Sequence, residues 1–134
     1  MKIRTAQLVF VFLLGMLIFA PLCMAKEWSY NYIVAYSLRD QVVYYVPPFK
    51  LKVDGESYNN EEYVSDTETI LKMEGNFQDF LKKEMEINIR DLTVSARVAY
   101  KTNDIAKFKM EKELGDFRFR GFTINEVKDF KYKD

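Results

Sequence analysis

Large aromatic or apolar side chains alternate with smaller ones from Trp28 to Ser37. A period of two is the pattern of a β-strand whose two faces meet different surroundings. Residues 38–40 predict a turn, and two further strands are predicted over 41–46 and 49–53. The Pro47-Pro48 pair separates these two strands, because proline cannot donate to a sheet ladder.

One helix is predicted after Gly75, with Lys82 and Lys83 in its last turn. Its apolar residues recur at i, i+3, i+4 and i+8, a spacing that forms one stripe against a sheet. This stripe consists of Phe77, Phe80, Leu81 and Met85. Asn76 is expected to cap the first turn. Before it, residues 55–65 predict a polar loop, and the Thr and Ile content of 67–73 favours a strand.

The last third of the chain alternates with a period of two, and its parity changes twice. These changes predict β-bulges at Arg90-Asp91 and at Gly121. Turns at 102–104 and 115–116 would join the strands into hairpins. The inward-facing residues of this meander are expected to include Ala106, Phe108, Met110, Leu114, Phe117 and Phe119. The second hairpin would pair Glu113 with Arg118 and Glu111 with Arg120. A short last strand is predicted at Phe130 and Tyr132.

Together these elements predict an α+β fold that is mostly antiparallel β. We expect a β-meander-rich curled sheet of about seven or eight short strands with one short helix. A small β-barrel or a β-sandwich is the alternative arrangement. No repeat or linker divides residues 26–134, so these residues are expected to form a single strand-rich globular domain.

The N-terminal segment, Met1 to Ala25, has the layout of a cleavable signal peptide. Two basic residues precede an apolar run from Leu8 to Phe19, and small residues at 23 and 25 suit cleavage before Lys26. Cys23 could instead be the acylated residue of a lipoprotein, but Leu22 is bulky for that motif. An uncleaved anchor is the third alternative, and the apolar run is short for a bilayer. The sequence therefore predicts a periplasmic or secreted protein.

Composition excludes several kinds of chemistry. There is no histidine, and the single cysteine lies in the predicted signal peptide. Ser-His or Cys-His nucleophiles and Cys/His metal sites are thus impossible after cleavage, and no enzyme, metal or cofactor is expected. Removing Lys2 and Arg4 from the 20 basic residues leaves 18 against 20 acidic ones. This balance is too even to indicate binding to nucleic acid or to an anionic membrane surface. No nucleic acid and no stable membrane insertion after cleavage are expected.

The aromatic face of the first predicted strand is the candidate binding face. Its members are Trp28, Tyr30, Tyr32 and Tyr36. Tyrosine and tryptophan are amphipathic and common at protein interfaces. The alternative is that this row forms one side of the core. The acidic stretch from Asp54 to Glu68 does not match a calcium loop and is interpreted as a solvated loop.

These observations favour a small exported protein that binds another protein and carries out no chemistry. It could be an inhibitor, an immunity factor or a subunit of an envelope complex, with its protein partner in the cell envelope. The missing disulfides and the lack of an Asn-x-Ser/Thr site favour a bacterial source. The alternative is a carrier that holds a small apolar ligand in a curled sheet or barrel, which would need an internal apolar cavity of roughly 300 Å³ or more.

Overall fold

A computed structural model describes residues 25–134, and the predicted signal peptide with its Cys23 lipidation site lies almost wholly outside them. The elements, in chain order, are β1 (Lys26–Ser37), β2 (Val42–Asp54), α1 (Thr67–Lys83), β3 (Thr93–Tyr100), α2 (Asn103–Phe119) and β4 (Thr123–Glu126). The four strands form one sheet in the order β3-β1-β2-β4. β1 is antiparallel to both of its neighbours, whereas β4 runs parallel to β2.

Each face of the sheet is covered by one helix. The residues buried beneath α2 include Tyr32, Val34 and Val43, whereas those beneath α1 include Ile33 and Ala35. From Tyr32 to Ala35 both side-chain sets of β1 are therefore buried, whereas the alternation predicted two faces in different surroundings. The chain crosses the sheet from β2 to β3 and then returns from β3 to β4. Right-handed crossovers in opposite directions place their helices on opposite faces.

The predicted curled sheet of seven or eight antiparallel strands is wrong, and so are its barrel and sandwich alternatives. Among the described residues the sheet has four strands, is mixed, and is accompanied by two helices. The main error concerns 103–119, which was expected to form two strands. Its apolar residues also recur at helical spacing, and that face is the one that packs on the sheet: Ala106, Met110, Leu114 and Phe117.

Local signals at both ends fix α2. Thr102 is the N-cap, and its hydroxyl accepts a hydrogen bond from the Ile105 amide. At the C-terminus Gly121 has a φ of 88°, and its amide donates to the Arg118 carbonyl. The Phe122 amide donates to the Phe117 carbonyl. This is a Schellman motif. The positive φ of Gly121 thus ends a helix, and the predicted bulge there is wrong.

The first helix is longer than expected. It begins at Thr67, with Asp66 as the N-cap in place of Asn76, and it continues through Gly75. The predicted strand over 67–73 is therefore wrong. Two residues of the predicted stripe, Phe77 and Leu81, are buried on the sheet together with Met73.

Three further expectations fail at irregular positions. β2 runs without interruption through Pro47-Pro48, which form a bulge opposite Tyr32. A bulge tolerates proline because its residues are excluded from the ladder. Arg90-Asp91 lies in the loop before β3. The predicted last strand is an irregular tail, in which Phe130 packs edge-on against Phe77 and Phe80.

Candidate functional site

The end of the β1–β2 hairpin formed by residues 26–30 and 50–54 carries the most exposed member of the predicted aromatic row. Trp28 is 47% exposed and belongs to neither core. Its partner across the ladder is Lys52, and the Lys52 Nζ lies 4.3 Å from the centre of the indole ring. The Lys50 Nζ lies 5.5 Å from the same ring. An accessible indole and the two ammonium groups near it therefore form one small surface, called here the Trp28 surface.

The structure separates Trp28 from the other three residues of the candidate face. Tyr32 is buried beneath α2, and Tyr30 and Tyr36 are half-buried against the same core. The ring of Tyr36 lies 5.1 Å from that of Phe117 in α2. The helix that covers these tyrosines was not predicted. Only Trp28 thus remains available as a large exposed aromatic on this side of β1.

A polar cluster joins α2 to β1 and to the edge strand β3. The Tyr32 hydroxyl donates a 2.7 Å hydrogen bond to Glu113 Oε2. Arg97 in β3 approaches both carboxylate oxygens of Glu113, at 3.4 Å through Nε and 3.2 Å through the guanidinium terminus. The Tyr100 ring stacks on that of Tyr32 at 6.1 Å. Glu113 therefore does not pair with Arg118 as the expected hairpin required.

The pKa of Tyr32 is raised far above its ordinary value. Burial is the main cause, and the hydrogen bond that Tyr32 donates to Glu113 is the second. Burial also raises the pKa of Tyr100. The hydrogen bonds that Arg97 donates to the Glu113 carboxylate raise the pKa of Arg97. These groups stabilise one another in fixed protonation states, with Tyr32 neutral and Arg97 charged. The cluster is therefore suited to holding α2 in place.

β1 is irregular on both sides beside this cluster, and one side chain spans the irregularity. The extra residues opposite Asn31 and Tyr32 lie in β2 at 47–48 and in β3 at 98–99. Asn31 is buried, and its side-chain amide donates to the Phe49 carbonyl at 3.2 Å. Ser29 accepts from the same amide and donates to the Leu51 carbonyl. Side chains therefore reinforce the ladder between the core and the Trp28 surface.

A groove of about 400 Å³ lies at the same end of this hairpin, towards the start of α1, and Lys52 of the Trp28 surface also lines it. It is open to solvent along part of its length. Its apolar lining includes Leu51, Val53, Ile70 and Met73, and its charged lining includes Lys26, Asp54, Glu56 and Asp66. The described residues contain no group of three or more acidic side chains placed to hold a metal ion. The groove thus offers a mixed surface.

Two residues of the acidic stretch have structural roles. Asp66 caps α1, and Glu61 forms an ion pair with Lys109 of α2 at 3.3 Å. The Tyr63 amide, in the same stretch, also donates a hydrogen bond to the Ala99 carbonyl of β3. The stretch therefore covers an edge of the sheet, whereas the sequence predicted only a solvated loop.

The outer face of α2 was missed by the sequence because its residues were assigned to strands. Phe108 and Phe119 were expected to point inward, yet they are 66% and 93% exposed. They are eleven residues apart, so they lie on the same side of the helix. That side is opposite the buried residues Ala106 and Met110. Exposed phenylalanines in this arrangement are typical of a contact surface.

The chain matches no known family model, and neither a curated protein nor a solved structure shows significant similarity to it. Within residues 25–134, neither helix combines the length and apolar character needed to cross a bilayer.

Proposed function

We propose that this chain is an exported, non-enzymatic protein that binds another protein through the Trp28 surface. The observation that carries the proposal is the accessible indole of Trp28, flanked by Lys50 and Lys52 on a hydrogen-bonded ladder. Tryptophan is enriched among the residues that dominate binding energy at interfaces. Two lysines beside it favour a partner with an acidic surface.

The ladder beneath the Trp28 surface supports this function. Strands that do not reorganise on binding lose little conformational entropy, which leaves more of the contact energy as affinity. Asn31 and Ser29, which follow Trp28 along β1, link β1 to β2 through their side chains. The indole is therefore presented on a structured ladder before any partner arrives.

The alternatives have less support from the geometry. The Tyr32–Arg97–Glu113 cluster satisfies its own charges and hydrogen bonds, which suits a structural role better than catalysis. The 400 Å³ groove is large enough for a small ligand but open, and charged side chains line it. A carrier of an apolar molecule would be better served by an enclosed apolar cavity.

Chemical crosslinking in the native cell envelope, followed by purification of the protein, tests the proposal. The wild type should retain a specific protein, and Trp28→Ala should reduce the recovery of that protein at least tenfold. Leu38→Ala is the matched control, because Leu38 is also apolar and exposed but lies in the turn just beyond the opposite end of β1. Recovery of the wild type alone, or equal recovery with Trp28→Ala, would refute binding through this surface.

Export has a separate test. Protein purified from the cell envelope or the medium should begin at Lys26 when its N-terminus is sequenced. A protein found only in the cytoplasm with residues 1–25 intact would contradict the proposed location.

A further inference from the structure

The outer face of α2 contains a glycine that its own fold does not require. Gly115 lies between Phe108 and Phe119, and a Cβ at this position would meet no atom within 4 Å. Glycine in a helix interior costs about 1 kcal/mol relative to alanine. A close approach of another backbone is one circumstance in which glycine is favourable.

The exposed stripe of α2, defined by Phe108, Gly115 and Phe119, is nearly symmetric about its middle. The two phenylalanines are separated by about 16 Å along the helix, at 1.5 Å per residue. Gly115 lies within two residues of the midpoint. If two such helices pair antiparallel, Phe108 of each copy therefore faces Phe119 of the other, and the two glycines meet near the crossing point.

The charges beside the stripe match the same arrangement. Glu111 and Arg118 lie along one side of it, and Lys112 and Asp116 along the other. Reversing one helix brings Glu111 near Arg118 of the second copy, and Lys112 near Asp116 of the second copy. A parallel twofold pairing exchanges the two sides of the stripe, so it would instead bring Glu111 near Lys112 of the second copy and Arg118 near Asp116 of the second copy. The two arrangements therefore differ in which charges meet.

We propose that the outer face of α2 binds the same face of a second copy of this chain, forming a symmetric antiparallel dimer. A twofold interface requires a self-complementary patch, which this stripe and its charges provide. It is independent of the Trp28 surface, because the two surfaces use different residues.

The expected affinity follows from the size of the patch. A phenylalanine buries at most about 150–250 Å². Four of them with their charged neighbours form a contact at or below the low end of the roughly 1,200–2,000 Å² seen in stable interfaces. We therefore expect a reversible dimer that dissociates in the micromolar range.

The dimer is tested by sedimentation equilibrium of the purified protein at concentrations between about 5 µM and 1 mM. The wild type should change from monomer to dimer across this range. Phe108→Ser combined with Phe119→Ser should weaken association at least tenfold, whereas Tyr58→Ser, at another exposed aromatic residue, should not. Unchanged thermal unfolding of the monomeric variants would show that they still fold.

Charge reversal tests the antiparallel register. Glu111→Arg and Arg118→Glu should each weaken the dimer at least fivefold, and the double variant should recover to within about twofold of the wild type. If this face instead bound a different protein or a lipid surface, the double variant would show no such recovery. A wild type that is monomeric at 1 mM, a dimer insensitive to the phenylalanine changes, or a double variant without recovery would overturn the proposal.

Discussion

Asn31 and Ala99 are 68 residues apart in the chain and are joined by a hydrogen bond of 2.8 Å, from the Ala99 amide to the Asn31 side-chain oxygen. Ala99 has a φ of 67°, which few residues other than glycine adopt. Its amide leaves the regular ladder at the bulge, and Asn31 supplies the acceptor. One buried side chain thus completes the hydrogen bonding of both strands beside β1.

Asn31→Ala is expected to destabilise the fold by about 2–4 kcal/mol, because it leaves the Ala99 amide and the Phe49 carbonyl without the partner that they share. Urea unfolding measures the loss. Asn125→Ala is the matched control, since Asn125 makes a single 3.3 Å hydrogen bond to the Val43 carbonyl in a part-buried setting. It should cost about 1 kcal/mol or less. Equal losses in the two variants would contradict the bridging role of Asn31.

The raised pKa of Tyr32 predicts alkaline instability. Its neutral form is favoured in the folded state, so this contribution to stability is complete below the unfolded value of about 10. Above that pH the unfolded chain releases a proton that the folded chain retains, and the free energy of unfolding falls. Tyr32→Phe should therefore show a shallower decline above pH 10, despite lower stability at pH 7. Chemical denaturation at pH 8–11 checks this, with Tyr58→Phe, at an exposed residue, as the control. Parallel curves for Tyr32→Phe and the wild type would count against it.

The same substitution at two glycines should have opposite effects. Gly75 lies inside α1 with open space around it, so Gly75→Ala should stabilise the protein by about 0.5–1 kcal/mol. Gly121 has a φ of 88°, so Gly121→Ala should destabilise it by about 1–2 kcal/mol through backbone strain. Thermal unfolding of both variants provides the comparison. A change of the same sign in both would show that the backbone assignment of one is wrong.

The sequence predicted β1 and its following turn because β1 is central and its alternation is clear. α2 escaped detection for a specific reason. Phe108 and Phe119 are large and apolar, yet they lie on the face away from the core, and this obscures the helical period. Ala106, Phe108 and Met110 instead show the period of two that predicts a strand. A large apolar residue on the exposed face of a helix carries the wrong signal for the fold itself.

The candidate site was predictable only in part. Trp28 was recognised from its place in an aromatic row, but the burial of Tyr32 depends on a helix from the other end of the chain. The role of Asn31 depends on two bulges that no local sequence pattern predicts. The sequence indicated an unusual backbone conformation at Gly121, but it predicted a bulge where the structure has a helix end. Glycine with a positive φ occurs in both.

The strand order has a consequence for how the chain acquires its structure as it is made. β1 comes first among the described elements but occupies an interior position in the sheet, between β2 and β3. Its hairpin with β2 can form early. The other edge of β1 is paired only after residues 93–100 have been made, and the far edge of β2 only after residues 123–126 have been made. A chain emerging N-terminus first therefore keeps a tyrosine-rich edge open through most of its synthesis. The finished sheet depends on the synthesis of residues 123–126.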